Sequence, residues 1–129
     1  MPQFWTVIAP GGQEVVNIDN LQHLNFVGYP SPTVGGLATN WTSGALARGS
    51  DFAGTVQATT GATAPSAGSV CVVTFANAYT NIPSAVLVNG PLDGYATAVT
   101  TTGFTIAVQD APTASTTYNF AFIVIGADS

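Results

Sequence analysis

The sequence predicts an all-β protein, and two alternating patterns in its last third support that prediction. In the run 103–109, Phe104, Ile106 and Val108 fall on one face while smaller or polar residues fall on the other. This period of two is what a half-buried strand requires. A second alternating run, 117–126, places four large residues on one face: Tyr118, Phe120, Phe122 and Val124. Short segments of the same kind recur upstream, without a convincing helix between them.

The strand at 117–126 is expected to be the central core strand. Ile123 and Ile125 lie on the face opposite to Phe122 and are also apolar, a pattern typical of strands covered on both sides. We therefore expect the fold or another subunit to cover that face. Residues 110–115, between the two strands, are polar, contain a proline and have a length compatible with a hairpin.

The N-terminal segment predicts a β-hairpin. Residues 3–9 and 14–18 have strand character and flank Pro10-Gly-Gly12, a strong turn signal. Residues 22–27 fit either a third strand or a helical turn.

Residues 28–50 show no sustained period and are predicted to form an extended arm. The part 28–36 alone contains two prolines and three glycines, and structureless connections longer than ~12–15 residues are usually functional arms, binding loops or linkers. Trp41 and Leu46 in this segment have no local pattern that would bury them. We expect both to dock on a neighbouring surface.

The predicted organisation is therefore an N-terminal hairpin and extended arm over 1–50 and a β-sandwich domain over 51–129. The second part contains six β segments separated by turns: 53–59, 69–75, 84–88, 95–100, 103–109 and 117–126. Many short strands with frequent turns indicate an antiparallel β-sandwich or a jelly-roll-like domain.

The chain carries very little charge. It has one basic residue, Arg48, and six acidic ones, so charged residues make up 5% of the chain where about 25% is usual. Nucleic-acid binding depends chiefly on Lys and Arg, so we expect no nucleic-acid partner. The same deficit, and the lack of a run of ~18 apolar residues, predict no membrane association. A surface this poor in charge predicts an assembly in which much of it is covered.

No catalytic or metal-binding constellation is visible. His23 and Cys71 are each the single residue of their type, whereas metal sites need several converging ligands. His23 and Asp19 form the only local base and acid pair, without a nucleophile elbow. Five aspartates lie in turns or near the ends, where they usually accept hydrogen bonds from backbone amides: Asp19, Asp51, Asp93, Asp110 and Asp128. We expect no enzymatic activity and no cofactor, and a small buried hydrophobe at Cys71.

The aromatic residues allow two interpretations. Five of them would be available for a sugar-stacking surface: Trp5, Tyr29, Trp41, Tyr79 and Tyr95. Aromatic side chains in strands are more often core or interface anchors, and that interpretation is favoured.

A series of short segments occurs in a fixed order from about residue 49 to residue 126, roughly 60% of the chain: Asp51-Phe-Ala-Gly54, Thr59-Thr-Gly61, Val73-Thr-Phe-Ala76 with Ala78-Tyr79, Ile82-Pro83 before Val86-Leu-Val88, Thr102-Gly-Phe-Thr-Ile106, and Thr117-Tyr-Asn-Phe120 with Val124-Ile-Gly126. By the order and spacing of these segments, this part of the chain resembles a β-domain of tailed-phage virion proteins. That domain occurs in tail-fibre tips and in small head or tail appendage proteins.

The resemblance implies a non-enzymatic, typically trimeric virion protein, assembled in the host cytoplasm. Because the loop 90–94 is short and no fibrous shaft precedes the domain, a capsid cement or decoration protein bound to the major capsid protein is favoured. The alternative is a tail-fibre or spike tip domain that binds a host receptor or glycan. On the favoured interpretation the N-terminal part grips the capsid or neighbouring subunits through six apolar residues: Trp5, Tyr29, Val34, Leu37, Trp41 and Leu46.

Overall fold

The computed structural model describes residues 31–127 in full and, before them, the backbone of residues 5–8, 14–18 and 24–26. Strands β1 (Trp5–Ile8), β2 (Glu14–Ile18) and β3 (Leu24–Phe26) form a three-stranded antiparallel sheet in that order. The predicted hairpin is confirmed, and the third segment is a strand rather than a helical turn.

Eight further strands form two four-stranded sheets. They are β4 (Thr33–Gly35), β5 (Trp41–Gly49), β6 (Ala53–Thr60), β7 (Gly68–Thr74), β8 (Ala85–Asn89), β9 (Gly94–Thr97), β10 (Gly103–Val108) and β11 (Thr117–Ile125). One sheet has the order β4-β7-β10-β9 and the other β5-β6-β11-β8, with every pair antiparallel. Among the described residues the only helical element is a 3-10 turn at Pro91–Asp93.

The two four-stranded sheets pack as a β-sandwich, which confirms the predicted fold class. The core lies between them, and its largest fully buried side chains are Phe104, Phe120, Phe122 and Ile106. Aromatic rings span the two sheets, since the Phe104 and Phe122 ring centroids lie 5.4 Å apart in an edge-on arrangement. At the sheet edges, β4 lies against β5 and β8 against β9.

The connection between β10 and β11 is not a hairpin, which corrects that prediction. β10 pairs with β7 and β9, whereas β11 pairs with β6 and β8 in the other sheet. Each strand turns its apolar face inward, so the two meet across the core instead of side by side. Thr60 holds the crossing loop in place: its hydroxyl donates to the Thr113 carbonyl at 2.7 Å and accepts from the Thr116 amide at 2.9 Å.

The predicted arm over 28–50 is also corrected. Residues 33–35 pair with β7, and residues 41–49 form an edge strand paired with β6. The sandwich strands therefore begin within this segment and not after residue 50. Two register shifts, between Trp41 and Ser43 and between Leu46 and Arg48, interrupt the period of two. Small residues fill much of the rest of β5, so its sequence showed no strand pattern.

A tight turn links β5 to β6. The Ser50 amide donates to the Ala53 carbonyl at 2.9 Å. Gly49 has a φ of 133°, and a Cβ at this position would collide with Gly54 Cα and the Ala53 carbonyl. Glycine is required here because L side chains rarely adopt this conformation and no space exists for one.

Candidate interaction surface

The sheet β5-β6-β11-β8 turns one face away from the core, and we call it the outer face. On β11 it comprises the residues that alternate with buried Phe120, Phe122 and Val124. On the neighbouring strands it comprises their register partners, because directly opposed residues of antiparallel strands share a face.

One half of the outer face is polar. Thr59 and Thr117 are register partners whose hydroxyls lie 2.9 Å apart. In the next row, Gln57 Nε2 donates to Asn119 Oδ1 at 3.3 Å. These side chains therefore satisfy part of their hydrogen bonding with each other.

The other half is apolar, and we call it the apolar patch. Ile123 is opposed by Ala53 on β6 and by Leu87 on β8, which makes one row across three strands. Ile125 and its partner Ala85 form the next row. Leu87, Ile123 and Ile125 are 58%, 47% and 51% exposed. Such exposure of three large aliphatic side chains on one flat face is typical of an interaction site.

The outer face is almost without charge. Over residues 31–127, the one charged side chain on this face is that of Arg48. Arg48 lies on the edge strand β5, where it pairs with Thr55 of β6, and Leu87 lies on the opposite edge strand, β8. Asp93 lies in the 3-10 turn, and the Asp110 amide joins the same loop cluster by donating to the Leu92 carbonyl at 3.2 Å. The face therefore offers a partner apolar contacts and neutral hydrogen bonds rather than ion pairs.

No family model, curated protein or solved structure matches this chain.

Trp41 lies in the sandwich core and not on an exposed surface. Its side chain is 5% exposed and packs edge-on against Tyr118, with ring centroids 5.9 Å apart. Its indole Nε1 is buried without a hydrogen-bond partner. The pairing of β5 with β6 turns this residue inward, which the irregular local pattern did not reveal.

The interface role of Val34, Leu37 and Leu46 stays a prediction, and the structure brings Val34 and Leu37 together over Gly44, where an added Cβ would approach Val34 Cγ1 to 3.4 Å. Val34 and Leu46 are partly buried against the core. Leu37 is 38% exposed and covers Gly44 of β5, where an added Cβ would approach Leu37 Cδ2 to 2.9 Å. The side chain of Trp5 and the whole of Tyr29 lie outside the described residues, so their predicted interface role stays a prediction.

Asp51 has a structural environment. Its Oδ1 accepts from the Ala76 amide at 2.9 Å and its Oδ2 from the Asn77 amide at 3.0 Å. The Tyr79 hydroxyl donates to the Asp51 backbone carbonyl at 3.3 Å. The prediction that turn aspartates bind backbone amides is confirmed for Asp51, although its partners lie 25 and 26 residues away. Burial, and secondarily the negative charge of Asp51, raise the pKa of Tyr79 above its ordinary value.

The remaining titratable and aromatic groups form no reactive cluster in the described part. Cys71 is fully buried, as predicted, and burial raises the pKa of its thiol to about 11. Within that part no three His, Cys, Asp or Glu side chains come together as metal ligands, and no helix there is long and apolar enough to span a membrane. His23 lies outside it. Tyr79 packs on Phe75 with ring centroids 4.9 Å apart, while Tyr95 is exposed.

A shallow cleft of about 230 Å³ lies elsewhere on the molecule. It is lined by small and polar residues: Ala38, Thr39, Asn40, Ser66, Ala67 and Ser69. Its hydroxyl and amide groups suit hydrogen bonding to a small polar ligand.

Leu87 is the residue that sequence reasoning missed. A signal was present, because Val86, Leu87 and Val88 are consecutive apolar residues, as are Phe122 to Ile125. In both runs alternate residues enter the core and the others stay exposed. The two exposed sets form one surface because β8 and β11 are paired.

Proposed function

We propose that this protein is a non-enzymatic structural component of a tailed-phage virion, most specifically a capsid cement or decoration protein. It binds the major capsid protein as a homo-oligomer, a trimer by analogy with the resembling domains. The observation that carries this proposal is the nearly uncharged outer face with its apolar patch. A surface of this kind favours permanent coverage in an assembly.

The mechanism of such a protein is mechanical. Apolar area buried across capsid junctions contributes about 25 cal/mol per Å², before the costs of association and ordering are subtracted. The sandwich provides a packed body for this task, because Phe104 and Phe122 make aromatic contact between the two sheets. Neutral Thr, Asn and Gln side chains on the outer face supply hydrogen bonds where contacts between copies are polar.

A second candidate is a tail-fibre or spike tip domain that binds a host-surface glycan. The cleft lined by Thr39, Asn40 and Ser66 favours it, since saccharide recognition uses hydroxyl and amide groups in a concave site. The exposed Tyr95 is an aromatic group available for stacking.

The test is cosedimentation of the purified full-length protein with undecorated phage capsids, alongside binding to host cells. We expect saturable capsid binding without cell binding. Light scattering of the purified protein should give the mass of an oligomer. Cell binding without capsid affinity would overturn the cement proposal in favour of the tip domain. In that case Asn40→Ala should reduce cell binding, whereas Asp110→Ala, in a different loop, should not.

A further inference from the structure

We propose that the apolar patch of the outer face binds the same face of a second copy of this chain. The inference rests on the expectation of a homo-oligomer in the proposed function and names the surface through which two copies pair. Contact between identical faces has two-fold symmetry and joins two copies, so it predicts a dimer in place of the trimer that the resemblance implies. Leu87, Ile123 and Ile125 are its central contacts.

The arrangement of these side chains suits contact with another flat sheet. Leu87 and Ile123 are register partners on adjacent strands, and Ile125 lies in the next row of the same face. Each is about half exposed. Two sheets stacked about 10 Å apart bury such rows by interdigitation, as inside a β-sandwich.

The lack of charge on the patch permits a second copy as the occupant. Each chain carries a net charge of −5 at pH 7 with a single basic residue, so two copies repel at long range and can meet only where no acidic side chains are brought together. The apolar patch contains no charged residue, and Arg48 lies on the opposite edge strand. Asp93 and Asp110 sit in the loop cluster around Leu92. A partner selected by charge would find no complementary group on the patch.

The area of the face matches a small specific interface. With strands about 4.8 Å apart and about 3.4 Å per residue, the four strands present roughly 500 Å² per copy. Two such faces together reach the ~1,000 Å² that a specific interface requires. Because the patch alone is too small, the polar half must also be in contact, where Gln57, Asn119, Thr59 and Thr117 provide neutral hydrogen-bonding groups.

The experiment is sedimentation velocity of the full chain over a dilution series, comparing wild type with Leu87→Thr, Ile123→Thr and the double variant. Threonine keeps β propensity while removing apolar area. We expect wild type to associate, each single variant to raise the dissociation constant about tenfold or more, and the double variant to be monomeric. The matched control is Val72→Thr, at an aliphatic position 37% exposed in the other sheet, which should associate like wild type.

Unchanged unfolding midpoints in all variants would assign any loss of association to the surface. Wild type that stays monomeric at every concentration would overturn the proposal, as would association unaffected by the double variant or equally weakened by Val72→Thr. Capsid cosedimentation of the same samples separates this inference from the proposed function. Self-association that depends on the patch, without capsid binding, supports the inference and contradicts the cement function. A protein that stays monomeric but binds capsids through the patch contradicts the inference and supports the cement function.

Discussion

Asp51 shows how one side chain connects segments that are distant in sequence. Its carboxylate accepts from the Ala76 and Asn77 amides, and the next residue, Phe52, accepts from the Val124 amide at 2.8 Å. The turn between β5 and β6 is thereby fastened to the loop after β7 and to β11. Each carboxylate oxygen accepts one of these amide hydrogen bonds. The position therefore requires a short side chain with two acceptor oxygens.

Replacing Asp51 should destabilise the fold. Asp51→Ala removes the acceptor of two amides, and hydrogen bonds to charged groups contribute about 1.5–3 kcal/mol each. We expect a loss of about 3 kcal/mol or more in the free energy of unfolding, measured by urea denaturation, and a smaller loss for Asp51→Asn, which keeps one acceptor oxygen. The control Asp110→Ala, at an exposed loop position, should change stability by less than about 0.5 kcal/mol. Equal losses for Asp51→Ala and Asp110→Ala would contradict this role.

The buried thiol of Cys71 should lower the free energy of unfolding at alkaline pH. Its thiol ionises near pH 9.0 when exposed, while burial raises its pKa to about 11 in the folded protein. The folded state therefore holds the proton more tightly than the unfolded state. The contribution of the protonated thiol to the free energy of unfolding is complete below pH 9 and is lost as the pH rises toward 11. Chemical denaturation at several pH values should show this decline, and Cys71→Val should reduce it. An identical pH profile for Cys71→Val would show that the thiol makes no contribution.

At the scale of elements, β11 combines a core face and a surface face in one strand. Phe120 and Phe122 are fully buried between the sheets, whereas Ile123 and Ile125 belong to the apolar patch. The predicted coverage of the second face is not provided by the described residues of this chain. The remaining part of that expectation, coverage by another subunit, is now a proposal.

The two faces of β11 should respond differently to truncation. Phe120→Ala opens a cavity between the sheets and should cost ~3–5 kcal/mol of unfolding free energy. Ile123→Ala, on the same strand but half exposed, should cost less than about 1 kcal/mol when measured on the monomer. Urea denaturation at low protein concentration makes this comparison. A small effect of Phe120→Ala would mean that the core assignment is wrong.

At the scale of the whole molecule, charge opposes self-association. Copies with a net charge of −5 each repel over distances that salt controls, since the Debye length falls from ~30 Å at 0.01 M to ~8 Å at 0.15 M ionic strength. If copies meet through the neutral outer face, added salt should strengthen their association by roughly two- to fivefold over this range. Sedimentation at the two ionic strengths measures the change. Weaker association at higher salt would instead indicate ion pairs in the contact.

The sequence alone determined the strands that follow a regular pattern. Period-two alternation identified β10 and β11, and turn residues bounded β1, β2 and most strands after residue 50. It also placed Phe104, Phe120 and Phe122 on apolar faces, all of which are buried. These features were predictable because alternation and turn chemistry are local properties of the backbone.

The tertiary structure decided which strands are neighbours, and with that the surface. It separated β10 from β11, drew β5 into a sheet and turned Trp41 into the core. It also joined Leu87 to Ile123, which lies 36 residues further along the chain. Local periodicity specifies which face of a strand is apolar, but not which other strand or sheet will meet it. That choice depends on contacts between segments far apart in the sequence, and on bulges such as those of β5 that interrupt the period.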